Sequence, residues 1–276
     1  MCPLCKTTLV KEQATFQCEE NHSFDLSKEG YLNLLLVNQK GSTDPGDDSG
    51  MVVARKNFLQ KNYYLPLSSA INKIVINNTK NKKDNSEIKI LDCGCGEGYY
   101  LKNLKEQYSD QNPKMDITGI DISKSAIKIA STTLKDDLFI VSNLNYELPF
   151  PDDSFDILLN IFAPKNPIEF SRVMAKNGLL IIVFPTRNHL KSLKESLGVT
   201  IDYNSKPDSV MNVFSSKFKL VDTEQIESVI NLKAEDAIEL IKMTPLYWQV
   251  DQKKLDKMKS IATEIGFNIY TFKKIR

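Results

Sequence analysis

Long apolar runs are what this chain most clearly lacks. No stretch of the 276 residues approaches the roughly 18 uninterrupted apolar residues that a membrane-spanning helix needs. The first residues, MCPLCKTT, show no basic stretch followed by an apolar core, so no secretory signal is expected and a cytoplasmic protein without a membrane partner is predicted. Tryptophan occurs once and histidine twice. Cysteine is sparse and odd in number, with five residues at Cys2, Cys5, Cys18, Cys93 and Cys95. That count argues against a disulfide framework and for metal binding or buried thiols. Neither sign of charge is in excess: the formal net charge is +1, so any polyanionic partner would have to be met by a local basic patch.

What is present is enough apolar material, 41% of the chain, for one sizeable core plus a small appendage. The appendage comes first. Cys2-Pro3-Leu4-Cys5 is followed by a strand-like stretch, then by Cys18 and His22, giving C-x2-C and then C-x3-H. Two such turns facing each other close a tetrahedron, and a mixed Cys3His set favours zinc over iron. A segment this short cannot bury enough surface to fold unaided, so the metal supplies the reason for order. With all four positions filled by protein, no open site remains for catalysis, and a structural or recognition role is expected. This unit is assigned to residues 1–38.

Residues 39–85 read as a linker with two helices. KGSTDPGDDSG is too rich in Pro and Gly for regular structure. A helix is expected over Met51–Gln60, with Val52, Val53, Phe58 and Leu59 on related faces and Arg55 and Lys56 outward. A second runs from Leu65 to about Ile76, with Pro66 in its first turn. The polar stretch NNTKNKKDNSE then leads to a large domain over residues 86–276.

There the period changes. IKILDCGCGEGYYLKNL reads as a buried strand, a glycine-rich turn and a helix, and DITGID, about 25 residues on, as a second strand ending in Asp121. An acid at that position can accept hydrogen bonds from both ribose hydroxyls of a nucleoside. The turn carries Gly94, Gly96 and Gly98 but also Asp92 and Glu97. Carboxylates there would repel a pyrophosphate and attract a sulfonium and an ammonium, which argues for S-adenosylmethionine over a nicotinamide dinucleotide. Cys93 and Cys95 read as small packing residues. Downstream lie a third strand, a turn at Asn143 and Leu144, a fourth strand over residues 155–160 entered through DDSFD, and a fifth after Gly178. The alternation predicts an α/β Rossmann-like fold whose ligand lies at the carboxyl ends of the strands, near Gly94, Gly96, Asp121, Asn143 and Asn160–Ala163.

Taken together, CPLC with C-x3-H, KEGYLNLL, DPGD, LDCGCGEGYY, GIDISKSAIKIA, LPF, FAP, His189-Leu190, Met243–Pro245 and FNIY resemble the bacterial 23S rRNA guanine-N1 methyltransferases, from Cys2 to about Tyr270 and most thinly over residues 191–235. The resemblance implies a zinc ribbon ahead of a class I methyltransferase with a seven-stranded sheet. It implies zinc ligation by Cys2, Cys5, Cys18 and His22, and cofactor contacts from Tyr64, Tyr100, Leu101 and His189. It further implies 23S rRNA hairpin 35 as partner, a homodimer, and an effect on macrolide sensitivity. The Pro-Pro-aromatic signature of many amino-nitrogen methyltransferases is absent after strand four, so no base-clamping role transfers there. Phe162 and Tyr99 are candidates to stack a displaced base. Trp248 reads as core, and Lys253, Lys254, Lys257, Lys259, Lys273, Lys274 and Arg276 as a solvated face. Two other readings remain open: a small-molecule methyltransferase braced by its zinc knuckle, and a non-catalytic RNA-binding factor.

Overall fold

The computed structural model describes residues 1–43, 45–80, 87–108, 114–199 and 207–275. The expected domain boundary at residue 86, part of the polar linker before it, Asp44 of the DPGD string and Arg276 lie outside them.

The N-terminal unit is a three-stranded antiparallel sheet of β1 (Val10–Glu12), β2 (Thr15–Gln17) and β3 (Ser23–Asp25). It has no core of its own; Leu9, Phe16 and Phe24 are half-buried against the larger domain. The N-terminal ammonium donates to the Pro149 carbonyl (2.7 Å), and Lys6 pairs with Glu147 (3.0 Å). The next strand, β4 (Tyr31–Asn33), leaves the ribbon and runs parallel to a strand of the large sheet. Tyr31, Leu32 and Leu34 are buried there. The large sheet therefore has eight strands rather than the seven expected, because KEGYLNLL supplies an additional edge.

Helix α1 (Ser49–Leu59) is capped by Asp48, whose carboxylate accepts from the Met51 amide at 2.9 Å. α2 (Leu65–Thr79) follows, with Pro66 in its first turn as expected. The doubly wound part then runs β5 (Ile88–Cys93), α3 (Tyr99–Tyr108), β6 (Met115–Asp121), α4 (Lys124–Thr133), β7 (Leu138–Val141), β8 (Phe155–Ile161), α5 (Pro167–Val173) and β9 (Met174–Pro185). The chain closes with α6 (Lys191–Leu197), α7 (Pro207–Phe214), β10 (Phe218–Leu232), α8 (Ala234–Lys242), α9 (Gln252–Asp256) and β11 (Ile261–Lys274).

The order across the sheet is β10-β11-β9-β8-β5-β6-β7-β4, parallel from β9 to β4, with β11 and β10 antiparallel. From β5 the chain moves outward through β6 and β7, then returns to place β8 on the other side of β5. That reversal opens a crevice beyond the carboxyl ends of β5 and β8, where ligands of such sheets sit. β11 pairs with β9 only from Phe267 to Lys273; residues 261–266 continue past the end of β9 with β10 alone, on the crevice side. Trp248, expected in the core, is 67% exposed in a short turn after α8.

Candidate functional site

The predicted metal ligands are assembled. The sulfurs of Cys2, Cys5 and Cys18 and the Nδ1 of His22 all lie within 4.8 Å of one another. Cys5 and Cys18 Sγ are 3.5 Å apart, and His22 Nδ1 is 3.4 Å from Cys18 Sγ and 3.6 Å from Cys2 Sγ. Ligands about 2.0–2.3 Å from a tetrahedral zinc stand roughly 3.5–3.8 Å from each other, so the set fits the ion. The Thr7 hydroxyl and amide hold the Cys5 thiol down at about 6, which favours the thiolate a metal takes. Cys93 and Cys95 are buried in the core, and burial keeps both as thiols.

At the crevice, Gly94, Gly96 and Gly98 all take left-handed backbone angles (φ +91°, +55° and +86°). A side chain on Gly94 would fall 2.3 Å from Ala163 Cβ, so β5 and the exit of β8 touch through bare backbone. At Gly96 the nearest atom to such a side chain is Arg55 Nη1 at 3.8 Å, which leaves the cradle open over this residue. The Gly96 amide donates to Asp121 Oδ2 (2.9 Å) and the Ser123 amide to Asp121 Oδ1 (2.8 Å). Each oxygen keeps a second lone pair for an incoming hydroxyl. Asp92 is almost fully buried, and its Oδ1 has no hydrogen-bond partner. Burial first, then the charges of Asp121 and Glu97, push its carboxyl up to about 8. Glu97 is also buried and displaced upward by desolvation. An orphaned buried carboxyl beside two more acids suits a cationic ligand.

Around this turn the linker forms a strap. Gly46 packs against Ile122 and Ser123, with φ +87° and no room for a side chain. The Asp47 carbonyl accepts from Ser123 Oγ (2.8 Å), and the Gln39 carbonyl from Asn143 Nδ2 (2.9 Å). Arg55, expected outward, points in instead: it pairs with Asp47 and donates to the Met243 carbonyl (3.2 Å). Burial works against its charge, but Asp47, Glu97 and Asp121 outweigh that and hold the guanidinium firmly protonated.

The opposite rim is aromatic. Tyr64 is buried against Phe58 and Phe267, with its hydroxyl 3.4 Å from His189 Nε2. His189 Nδ1 accepts from the Gly266 amide (3.2 Å), so the neutral ring carries its proton on Nε2. Burial pulls this imidazole down to about 3. Phe162, just past β8, has φ +55°, is 44% exposed and leans on Phe267 with centroids 5.6 Å apart. The loop behind it is pinned by Asn160, whose Nδ2 donates to the carbonyls of Cys93 and Pro164, each at 3.0 Å. Lys165, next in line, is half-buried, and desolvation lowers its pKa.

Comparison with known proteins gives the site its context. Residues 1–43 match the zinc-ribbon family described as RlmA, N-terminal, and residues 84–259 match a methyltransferase domain family. A 23S rRNA (guanine(748)-N(1))-methyltransferase of Streptomyces fradiae is 28% identical over 92% of this chain and 87% of its own. YxjB of Bacillus subtilis (strain 168), named provisionally as a 23S rRNA (guanine-N(1)-)-methyltransferase, is 30% identical over 95% of this chain and 91% of its own. This chain belongs to the 23S rRNA (guanine-N1)-methyltransferase family. Among solved structures, a chain from the complex of the Haloferax volcanii Trm112 methyltransferase activator aligns with TM-score 0.52 at 13% identity, covering 84% of this chain and 100% of that one, which speaks to the fold alone.

The methyl donor of a class I methyltransferase is S-adenosylmethionine, and the acid-rich cradle with its unpartnered Asp92 oxygen fits that cation. Of the predicted contacts, Asp92, Gly94, Gly96, Glu97 and Asp121 converge at the end of β5 and β6, and Leu144 packs 3.7 Å from the side-chain position of Gly94. Tyr64 and His189 meet on the aromatic rim. The Leu101 side chain is wholly in the core, in the first turn of α3 beside half-buried Tyr100, and offers no side-chain surface to a ligand. Asn143 is committed to the strap by its amide. Sequence reasoning missed Arg55, read as a surface charge, and Lys165. The signal for Arg55 lay in the acids themselves, which need a nearby cation.

Proposed function

We propose that this methyltransferase moves the methyl group of S-adenosylmethionine to N1 of a guanine in hairpin 35 of 23S rRNA, as a cytoplasmic enzyme. The observation that carries the cofactor half of this reading is the buried, unpartnered Asp92 carboxyl under a glycine turn at the sheet's reversal point. The RNA half is supported by relatives aligned over nearly the whole chain, zinc ribbon included.

In this reading Asp121 accepts the ribose hydroxyls, Asp92 and Glu97 face the ammonium and sulfonium, and Gly94 and Gly96 let the donor lie against the main chain. Tyr64, Tyr100 and His189 close the cradle. The cofactor, when bound, supplies an electrophilic methyl. The protein's task is to bring N1 into line with it, and alignment alone can supply a large share of the acceleration. A paired, stacked base must first be displaced, and the exposed ring of Phe162 over Phe267 gives it a surface to rest on. Guanine N1 must also lose its proton. On the loop leaving β8, Lys165 is half-buried with its pKa lowered by desolvation, and its amine is placed to offset the charge that develops on the base as that proton leaves. Two copies facing each other across the RNA, and altered macrolide sensitivity, belong to the same reading.

The test is reverse transcription across hairpin 35 of 23S rRNA incubated with purified protein and S-adenosylmethionine. A new stop at a guanine is expected, since methylated N1 cannot pair. Transfer to small quinones with none to RNA would overturn the proposal.

A further inference from the structure

The basic residues near the C-terminus do not form one face. Lys273 and Lys274 lie at the end of β11 that pairs with Phe218 and Lys219, away from the crevice, and Lys274 is used by Asp153 (3.0 Å) and the Met174 carbonyl. Lys253, Lys254, Lys257 and Lys259 instead line one open surface concavity of about 430 Å³, together with Ser196 and Leu197 of α6 and with Ser260 and Ile261. Lys254 is structural: its Nζ donates to the Leu197 carbonyl and ties α9 to the end of α6. Lys253, Lys257 and Lys259 are exposed, and among the described residues none of them is ion-paired. The acids of α9 are otherwise engaged, Asp251 capping the helix through the Lys253 amide (2.9 Å) and Asp256 accepting from Gln252 (3.1 Å).

Position gives the concavity its meaning. It sits where β11 continues past β9, on the crevice side of the sheet. It is separated from His189 by α6, a helix of seven residues and so about 10 Å long. A strand whose base reaches the Phe162 ring would carry its neighbouring phosphates across that distance within a few nucleotides.

We propose that the concavity formed by Lys253, Lys257 and Lys259 between α6, α9 and the start of β11 binds backbone phosphates of the RNA flanking the methylated guanine. The proposal rests on the rRNA reading above. It makes a near-neutral protein locally cationic on the side where the substrate must approach, and it contributes affinity without reading sequence.

The test compares wild type with the triple variant Lys253→Gln, Lys257→Gln, Lys259→Gln, which leaves Lys254 in place. A control carries Lys219→Gln and Lys273→Gln at the far end of the same hairpin. Binding of a 23S rRNA fragment containing hairpin 35 is measured between about 50 and 200 mM salt, where each phosphate contact contributes roughly 0.7–0.9 to the slope of log K against log salt. The triple variant is expected to lose about tenfold or more in affinity at low salt, with a slope shallower by about 2, while calorimetric affinity for S-adenosylmethionine is unchanged. A triple variant with the wild-type slope, or a control that loses as much, overturns the proposal. A wild-type protein that binds the fragment through these lysines but transfers no methyl overturns the functional reading and leaves the phosphate site standing.

Discussion

Ala163 Cβ lies 2.3 Å from the point that a side chain on Gly94 would occupy. The end of β5 and the exit of β8, which in the proposed reading carry the donor's cradle and the acceptor's loop, are thus in contact through a residue with no side chain. Gly94→Ala is expected to add roughly 1–3 kcal/mol of backbone strain at φ +91° and to push Ala163 away. Calorimetry should show at least a tenfold loss of S-adenosylmethionine affinity, and thermal unfolding should come several degrees lower. Gly96→Ala, with open space above it, should spare the fold more than the affinity.

Asp92 is expected to couple cofactor binding to the release of a proton. With its carboxyl raised to about 8, it is mostly neutral at pH 7 when the cradle holds no cation. A bound sulfonium and ammonium favour the carboxylate, so binding at pH 7 should release up to one proton, less as pH rises through 8 and almost none above 9. Titration in buffers of different ionisation enthalpy reads this directly, and Asp92→Asn should abolish it. In the free protein the same shift means that Asp92 favours the fold at low pH, and that this contribution fades from about pH 4 to pH 8.

Stripping the metal should unsettle the ribbon without dissolving the cradle. Purified protein is expected to carry one zinc per chain. A strong chelator, or Cys18→Ser, should lower the unfolding temperature and break the contacts of Met1 with Pro149 and of Lys6 with Glu147. Affinity for S-adenosylmethionine should stay within about threefold, since no ligand of the metal lies in the cradle.

Lys165 and Phe162 should separate turnover from RNA engagement. Lys165→Met is expected to lower kcat by about 10- to 100-fold with cofactor affinity unchanged. Phe162→Ala should mainly raise the KM for RNA. Loss of cofactor affinity in Lys165→Met would assign that residue to the cradle instead.

The readable parts of this chain were those where one residue type is demanded by one geometry. The metal ligands are spaced along the sequence as they are in space, and Gly94, Gly96, Asp92 and Asp121 sit on consecutive strand ends whose period is plain. Three features were not readable, because each depends on packing between distant segments. Arg55 lies on a helix whose pattern leaves it polar, and only the approach of Asp47, Glu97 and Asp121 turns it inward. Asn143 meets the carbonyl of Gln39, which no local pattern announces. Trp248 reads as core in the sequence, yet the turn after α8 leaves it in solvent.

β4 has a consequence for how the molecule can be divided. β7, with the sequence LFIV, would be a bare apolar border if Tyr31–Asn33 were not laid along it. Strand borders of that kind recruit whatever extended chain they meet. A catalytic fragment cut at residue 38 should therefore clump rather than behave as an independent enzyme, and the stretch just after the metal knuckle serves as the selvedge that keeps the fabric from fraying.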